Sequence, residues 1–129
     1  MKTSESGEKK YKVLFFDLDR TLWDYRANSE QTLSDLLAKY TPGLVEKFDE
    51  FLATFYEINE RLWIDYRDGR LSKEKLSTQR FIDTYKRLGV NAESFADKFS
   101  VDYINESPNK TRLFPKTLET LDYLKSKGY

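Results

Sequence analysis

A run of four apolar residues, Val13-Leu14-Phe15-Phe16, stops abruptly at Asp17-Leu18-Asp19, and this junction constrains the fold more than any other stretch. An unbroken run rich in β-branched and aromatic side chains suits a strand buried on both faces, as in a parallel sheet. The sequence therefore predicts a strand over about Tyr11–Phe16. Acids that follow such a strand stand at its carboxyl end, where open α/β sheets bind ligands. Residues two apart in extended backbone share a face and lie about 6.5 Å apart along the chain, so Asp17 and Asp19 can address one small ligand together. Two carboxylates so close repel. A hard cation such as Mg²⁺ relieves that repulsion and also takes phosphate oxygens. One carboxyl group of such a pair can serve as a nucleophile and the other as general acid and base. A loop of solvated acids with a Thr cap fits the bare Asp-x-Asp pattern equally well.

Composition narrows the chemistry further. The 129 residues suffice for about one domain. Twenty-two acids balance 22 bases, so no net field draws the chain to nucleic acid or to an anionic membrane. With neither Cys nor His, the chain has no disulfides, no zinc-finger ligands and no imidazole base. Carboxylate and hard-cation chemistry remains. Residues 1–10 are polar and predict a disordered tail without a signal-peptide core, and no window approaches the roughly 18 apolar residues of a membrane span. A cytoplasmic location is the default expectation.

Beyond the acids the chain reads as helices. Asn28 or Ser29 is a natural N-cap for a first helix, with Leu33, Leu36, Leu37 and Tyr40 on one face and Thr41-Pro42-Gly43 at its end. A long second helix is predicted from about Leu44 to Arg67, with Val45, Phe48, Phe51, Leu52, Phe55, Leu62, Trp63 and Tyr66 recurring every three or four residues. Ser72 caps a third helix that runs to about Leu88 and stops at Gly89. A fourth spans about Ala92 to Glu106 with Phe95, Phe99, Tyr103 and Ile104, and a fifth spans Lys116 to Lys127 with Leu118, Leu121 and Leu124 on its inner face. Short connections between amphipathic helices predict an antiparallel bundle. A calcium loop at Asp65-x-x-Asp68-Gly69 is rejected, because the acid required five residues before the glycine is Ile64.

The fifth helix ends in Lys-Gly-Tyr, where a βα unit would pass to its next parallel strand. A lone apolar strand cannot satisfy its own backbone groups. It is expected to pair with something outside residues 1–129, which marks the chain as the N-terminal portion of a longer protein. An unpaired strand also predicts self-association.

The string Asp17-Leu18-Asp19-Arg20-Thr21-Leu22 behind an apolar strand resembles the first motif of the haloacid dehalogenase-like hydrolase superfamily. A helical insert followed by Phe114-Pro115 and the segment up to Tyr129 is similar to its capped members. Trp23-Asp24, Asn28-Ser29 and Leu62-Trp63-x-x-Tyr66-Arg67-x-Gly69-x-Leu71 resemble the branch that includes pyrimidine 5′-nucleotidases. The resemblance implies an α/β fold: a Rossmann-like core, of which only the first strand and a later helix lie in this chain (11–27 and 108–129), with an inserted four-helix all-α cap at 28–107. It implies Asp17 as nucleophile, Asp19 as general acid and base, Mg²⁺ held by the Asp17 side chain and the Asp19 backbone carbonyl, and Thr21 orienting the loop. A carboxylate at position 19 favours phosphoryl transfer over carbon–halogen cleavage, since dehalogenases generally lack it. The second-motif Ser or Thr, the third-motif Lys or Arg and the fourth-motif acids do not occur in this sequence, so the chain alone is expected to be inactive.

The implied activity is hydrolysis of a small phosphorylated metabolite, a nucleoside 5′-monophosphate first. Sugar phosphates or phosphoglycolate are the alternative substrates, and a non-catalytic helical interaction fragment is the alternative role. Trp63, Tyr66, Arg67 and Arg70 are candidate substrate residues, because an aromatic beside an Arg suits a base and its phosphate. They equally suit a core edge with solvated arginines.

Overall fold

The computed structural model describes residues 7–129. Residues 1–6 of the expected tail lie outside the described residues. The described residues divide into two compact units, one formed by residues 7–25 with 112–129 and the other by residues 26–111.

The helical unit owes its shape to aromatic side chains at helical spacing. α1 (Tyr25–Tyr40) contributes Leu33, Leu36 and Leu37, α2 (Phe48–Arg67) Phe51 and Phe55, α3 (Lys73–Arg87) Phe81 and Tyr85, and α4 (Ala96–Glu106) Phe99 and Tyr103. All are buried in one core. Phe81 lies at its centre, stacked on Phe55 with centroids 5.5 Å apart, tilted against Phe99 at 4.7 Å and edge-on to Tyr103 at 5.5 Å. Each such ring contributes roughly 2–3 kcal/mol by leaving water. α2 packs on α3, and α3 on α4. Ile58, Leu62 and Leu76 make a smaller cluster flanked by Trp63 and Leu71.

Local signals place α3 well. The Ser72 hydroxyl accepts the Lys75 amide at 3.2 Å as the expected cap. Gly89 then ends the helix region in the left-handed conformation at φ 79°, which a side chain would strain. Elsewhere tertiary contacts override local ones. Asn28 and Ser29 are not caps: α1 begins at Tyr25, and both residues are buried inside it. Ser29 Oγ shares a 2.7 Å hydrogen bond with the Tyr103 hydroxyl, a partner 74 residues away that a local reading cannot see. The expected long helix from Leu44 is also shorter at its start. Pro42–Lys47 form a 3₁₀ turn before α2, leaving Val45 exposed, because Pro at the first positions and Gly43 behind it favour a tighter turn. Residues 92–95 do not join α4, and Ile104 is exposed rather than inward. Every buried side-chain nitrogen and oxygen among the described residues has a hydrogen-bond partner.

In the other unit the strand expected over Tyr11–Phe16 does not form: no strand occurs among the described residues. A strand is a paired object, and no described segment offers residues 11–16 a ladder. α5 (Thr117–Ser126) follows Lys116, which sits in the left-handed region at φ 67°. Leu118, assigned to its inner face, is exposed, and Thr117 is the buried residue of the helix. No helix among the described residues is long and apolar enough to cross a membrane.

Candidate functional site

The acids of the first motif sit on a loop that is tied back on itself. The Leu18 carbonyl accepts three amides, from Thr21 at 3.3 Å, Leu22 at 3.0 Å and Trp23 at 2.9 Å. Arg20 returns a bond from its amide to the Trp23 carbonyl at 3.0 Å. So tight a turn requires one residue with positive φ. That residue is Arg20, at φ 63°, where an L side chain costs about 1–2 kcal/mol. Its guanidinium lies 4.8 Å from the Tyr25 ring centroid, and Tyr25 meets Trp23 edge-on at 6.3 Å, so the loop's strain is offset by aromatic contacts.

The loop is also clasped from outside. The Asp24 amide donates to the Arg112 carbonyl and the Phe114 amide to the Leu22 carbonyl, each at 3.0 Å. Trp23 and Leu113 face each other as an isolated antiparallel bridge. Thr117 adds a longer 3.4 Å bond from its hydroxyl to the Leu22 carbonyl. Asp24 stands immediately before α1, where a negative charge favours the helix.

Within this frame Thr21 Oγ1 donates to Asp17 Oδ2 at 3.0 Å. The bond fixes one carboxylate oxygen and leaves the other open. Asp17, Asp19 and Thr21 are all exposed, so a ligand can reach them. Among the described residues no group of three or more His, Cys, Asp or Glu gathers to hold a metal. A pair of carboxylates nonetheless suits Mg²⁺, which is commonly held by one or two carboxylates and completes its octahedron with water and substrate phosphate oxygens. Asp17 and Asp19 are the residues here that fit it.

The second set of candidate residues occupies the C-terminal end of α2 and the turn after it. Trp63 is half-buried against Ile58, Leu62 and Leu76 and meets Tyr66 edge-on at 5.5 Å. Tyr66 and Arg67 are exposed. Arg70 is engaged already: its guanidinium reaches Asp65 Oδ1 at 2.8 Å and Asp68 Oδ2 at 3.0 Å. The Asp65/Asp68 pair that suggested a cation loop is thus a clamp on arginine, and both carboxylates raise the Arg70 pKa. The structure brings Trp63, Tyr66 and Arg70 into one turn and gathers Asp17, Asp19 and Thr21 into another.

Sequence reading missed Arg20, Tyr25 and Thr117. A non-glycine residue forced to positive φ carries no local signature, but Leu113-Phe114-Pro115 hinted that an apolar segment returns to the first loop.

No family model matches the sequence. Over 79 residues, 61% of this chain and 32% of the relative, it is 30% identical to pyrimidine 5′-nucleotidase PynA of Streptococcus pneumoniae. Over 85 residues it is 27% identical to the HAD-hydrolase YfnB of Bacillus subtilis, covering 66% of this chain and 35% of that protein. The chain thus spans about a third of the length of the curated relatives it matches. The crystal structure of YfnB, bound to magnesium, superposes with a TM-score of 0.77 at 22% identity over 92% of this chain and 50% of that one. In sequence the chain is thus similar to part of a pyrimidine 5′-nucleotidase and part of a HAD-hydrolase, and it shares the fold of part of the latter.

Proposed function

We propose that these residues belong to a Mg²⁺-dependent phosphohydrolase that removes phosphate from a small phosphomonoester, with nucleoside 5′-monophosphates as the preferred class. The observation that supports this reading is the tied loop at Leu18–Trp23, in which Thr21 holds one oxygen of Asp17 and leaves the other exposed. Asp17 attacks phosphorus in line with the leaving oxygen, forming an aspartyl phosphate as the ester P–O bond breaks. Asp19 gives its proton to the departing oxygen. It then takes a proton from the water that hydrolyses the acyl phosphate, which restores both carboxyl groups. Mg²⁺ would be held in this chain by the Asp17 side chain and the Asp19 backbone carbonyl, and when bound it would supply neutralisation of phosphoryl charge.

The nucleotide preference rests on Trp63 and Tyr66, whose rings offer a stacking face, on Arg67 beside them, and on the similarity to a pyrimidine 5′-nucleotidase. In this reading the helical unit is the cap that selects the substrate, and the 129 residues alone turn nothing over because the phosphate-gripping and charge-neutralising groups of the family are not among them.

The test separates binding from turnover. Mg²⁺ is titrated against Trp23 emission in a Trp63→Phe background, alongside phosphate release from a panel of nucleoside and sugar monophosphates. Weak Mg²⁺ binding that Asp17→Asn abolishes, without turnover, is the expected result. Turnover that survives Asp17→Asn removes Asp17 as nucleophile. Mg²⁺ binding unaffected by that substitution removes the loop as the metal site.

A further inference from the structure

Asn59, Trp63 and Arg67 stand four residues apart on α2 and follow one another along one face at successive turns. Asn59 and Trp63 are half-buried and Arg67 is exposed. An amide, an indole ring and a cation in that order offer a hydrogen bond, a stacking face and a charge along one line.

The amide of Asn59 cannot turn over. Arg80 Nη1 donates to Asn59 Oδ1 at 3.3 Å. A guanidinium carries only donors, so the amide oxygen must face it and Nδ2 must face elsewhere. Arg80 is itself held firmly. It is buried, its Nε donates to the Ser77 carbonyl at 3.3 Å, and its guanidinium lies 5.0 Å from the ring centroids of Phe81 and Tyr103 and 6.0 Å from that of Phe55. The Tyr103 hydroxyl is fixed in turn by Ser29 at 2.7 Å. Taking a cation into an aromatic core is costly, and an apolar side chain of the same volume would serve stability as well. Among the described residues the Asn59 side chain makes no hydrogen bond besides the one to Arg80, and no buried side-chain nitrogen or oxygen lacks a partner. Its Nδ2 is therefore an accessible donor of fixed direction, one helical turn from the Trp63 ring.

We infer that Asn59 is a specificity-determining residue, with Arg80 as its positioning residue: the fixed amide donates to a carbonyl at the edge of a base that lies on Trp63. The inference rests on the nucleotide reading proposed above and deepens it. In a pyrimidine ring C4 stands opposite the N1 that carries the sugar. With sugar and phosphate towards Arg67, the group on C4 falls towards Asn59. Uracil and thymine carry an accepting oxygen there, whereas cytosine carries an amino group that would set donor against donor. The amide thus selects 4-keto over 4-amino pyrimidine nucleotides.

The chain has two tryptophans, so Trp23→Phe leaves Trp63 as the reporter. Its emission is titrated with uridine and with cytidine 5′-monophosphate, and helical circular dichroism checks each variant. The uridine nucleotide is expected to bind about fivefold more tightly, the effect of one hydrogen bond made against one refused. Asn59→Asp keeps the size and the contact with Arg80 but turns the outward donor into an acceptor, so the order is expected to reverse. Both ligands carry the same phosphate, and their ratio is blind to the added charge. Arg80→Met releases the amide to turn, and the two nucleotides are then expected to bind within about twofold of each other.

Equal binding by the wild-type chain overturns the inference. So does an Asn59→Asp chain that still prefers uridine, or a folded Arg80→Met chain that keeps the full discrimination. Asn59→Asp decides alone where Arg80→Met fails to fold. Trp63 emission that neither nucleotide changes overturns the nucleotide reading and this inference together, whereas equal binding of the two overturns this inference only.

Discussion

The two units of this chain use the same residue types to opposite ends. In the helical unit Phe51, Phe55, Phe81, Tyr85 and Phe99 are fully or almost fully buried and contact one another ring to ring. In the unit that carries the acids, Tyr11, Val13, Phe15, Phe16 and Leu18 are exposed. The difference is one of partners rather than of hydrophobicity. Four helices satisfy their backbones internally and need only a shared apolar stripe, whereas an apolar extended segment needs a neighbour's amides and carbonyls before its side chains can be covered. A helical unit can therefore bury its own rings, whereas the apolar segment before Asp17 stays exposed among the described residues.

The largest effect should come from the centre of the bundle. Phe81→Ala removes a ring that touches Phe55, Phe99 and Tyr103, and the lost burial plus the residual cavity should cost about 3–5 kcal/mol. Urea unfolding followed by helical circular dichroism reads this directly. A loss below about 1 kcal/mol would mean that the bundle closes over the gap, and the contrast between the two units would weaken.

High pH sharpens the comparison next. Burial pushes the Tyr85 phenol up to about 12 from an ordinary value of 10, although its hydrogen bond with Thr41 pulls the other way. A raised folded pKa contributes stability that is complete below pH 10 and lost as pH rises through about 12. The contribution lost across that window is roughly 2–3 kcal/mol. Unfolding free energy should fall accordingly, and Tyr85→Phe should flatten part of the fall. An equal slope in the variant would place the sensitivity elsewhere.

Much of this was legible in the residues alone. Phe51, Phe55, Phe81, Tyr85 and Phe99 announce themselves by spacing, and Ser72 and Gly89 bracket α3 with chemistry that acts within a few residues. The acids at 17 and 19 and the threonine at 21 were readable as a loop for the same local reason. What escaped depends on distant partners. Ser29 looks like a cap until Tyr103 claims it. Arg80 carries no local signal, yet it is buried with Asn59 and the rings of Phe81 and Tyr103 about it. Residues 11–16 look like a strand, which a sequence can request but only a second strand can grant.

On the loop itself two costs nearly cancel. Arg20→Gly relieves about 1–2 kcal/mol of left-handed strain and gives up about 0.5–1 kcal/mol of contact with Tyr25; glycine's extra freedom when unfolded removes about 0.4–1 kcal/mol more. It should thus stay near wild type. Arg20→Ala keeps the strain and loses the contact, and should be lower by about 0.5–1 kcal/mol. Unfolding monitored through Trp23 emission, again with Trp63→Phe, ranks the two. Alanine at or above glycine would mean that the backbone at position 20 is not held at positive φ in solution.

The smallest effect should be Phe15→Ser, and its smallness is the point. A phenylalanine that is 95% exposed in the folded chain loses almost no burial when it becomes serine, so unfolding at dilute concentration should move by no more than about 0.5 kcal/mol. The same truncation at Phe81 or Phe55 removes a ring from a packed cluster. A loss above about 1 kcal/mol in dilute solution would show that Phe15 is covered within a single chain, and the segment before Asp17 would then belong to a core rather than to a surface.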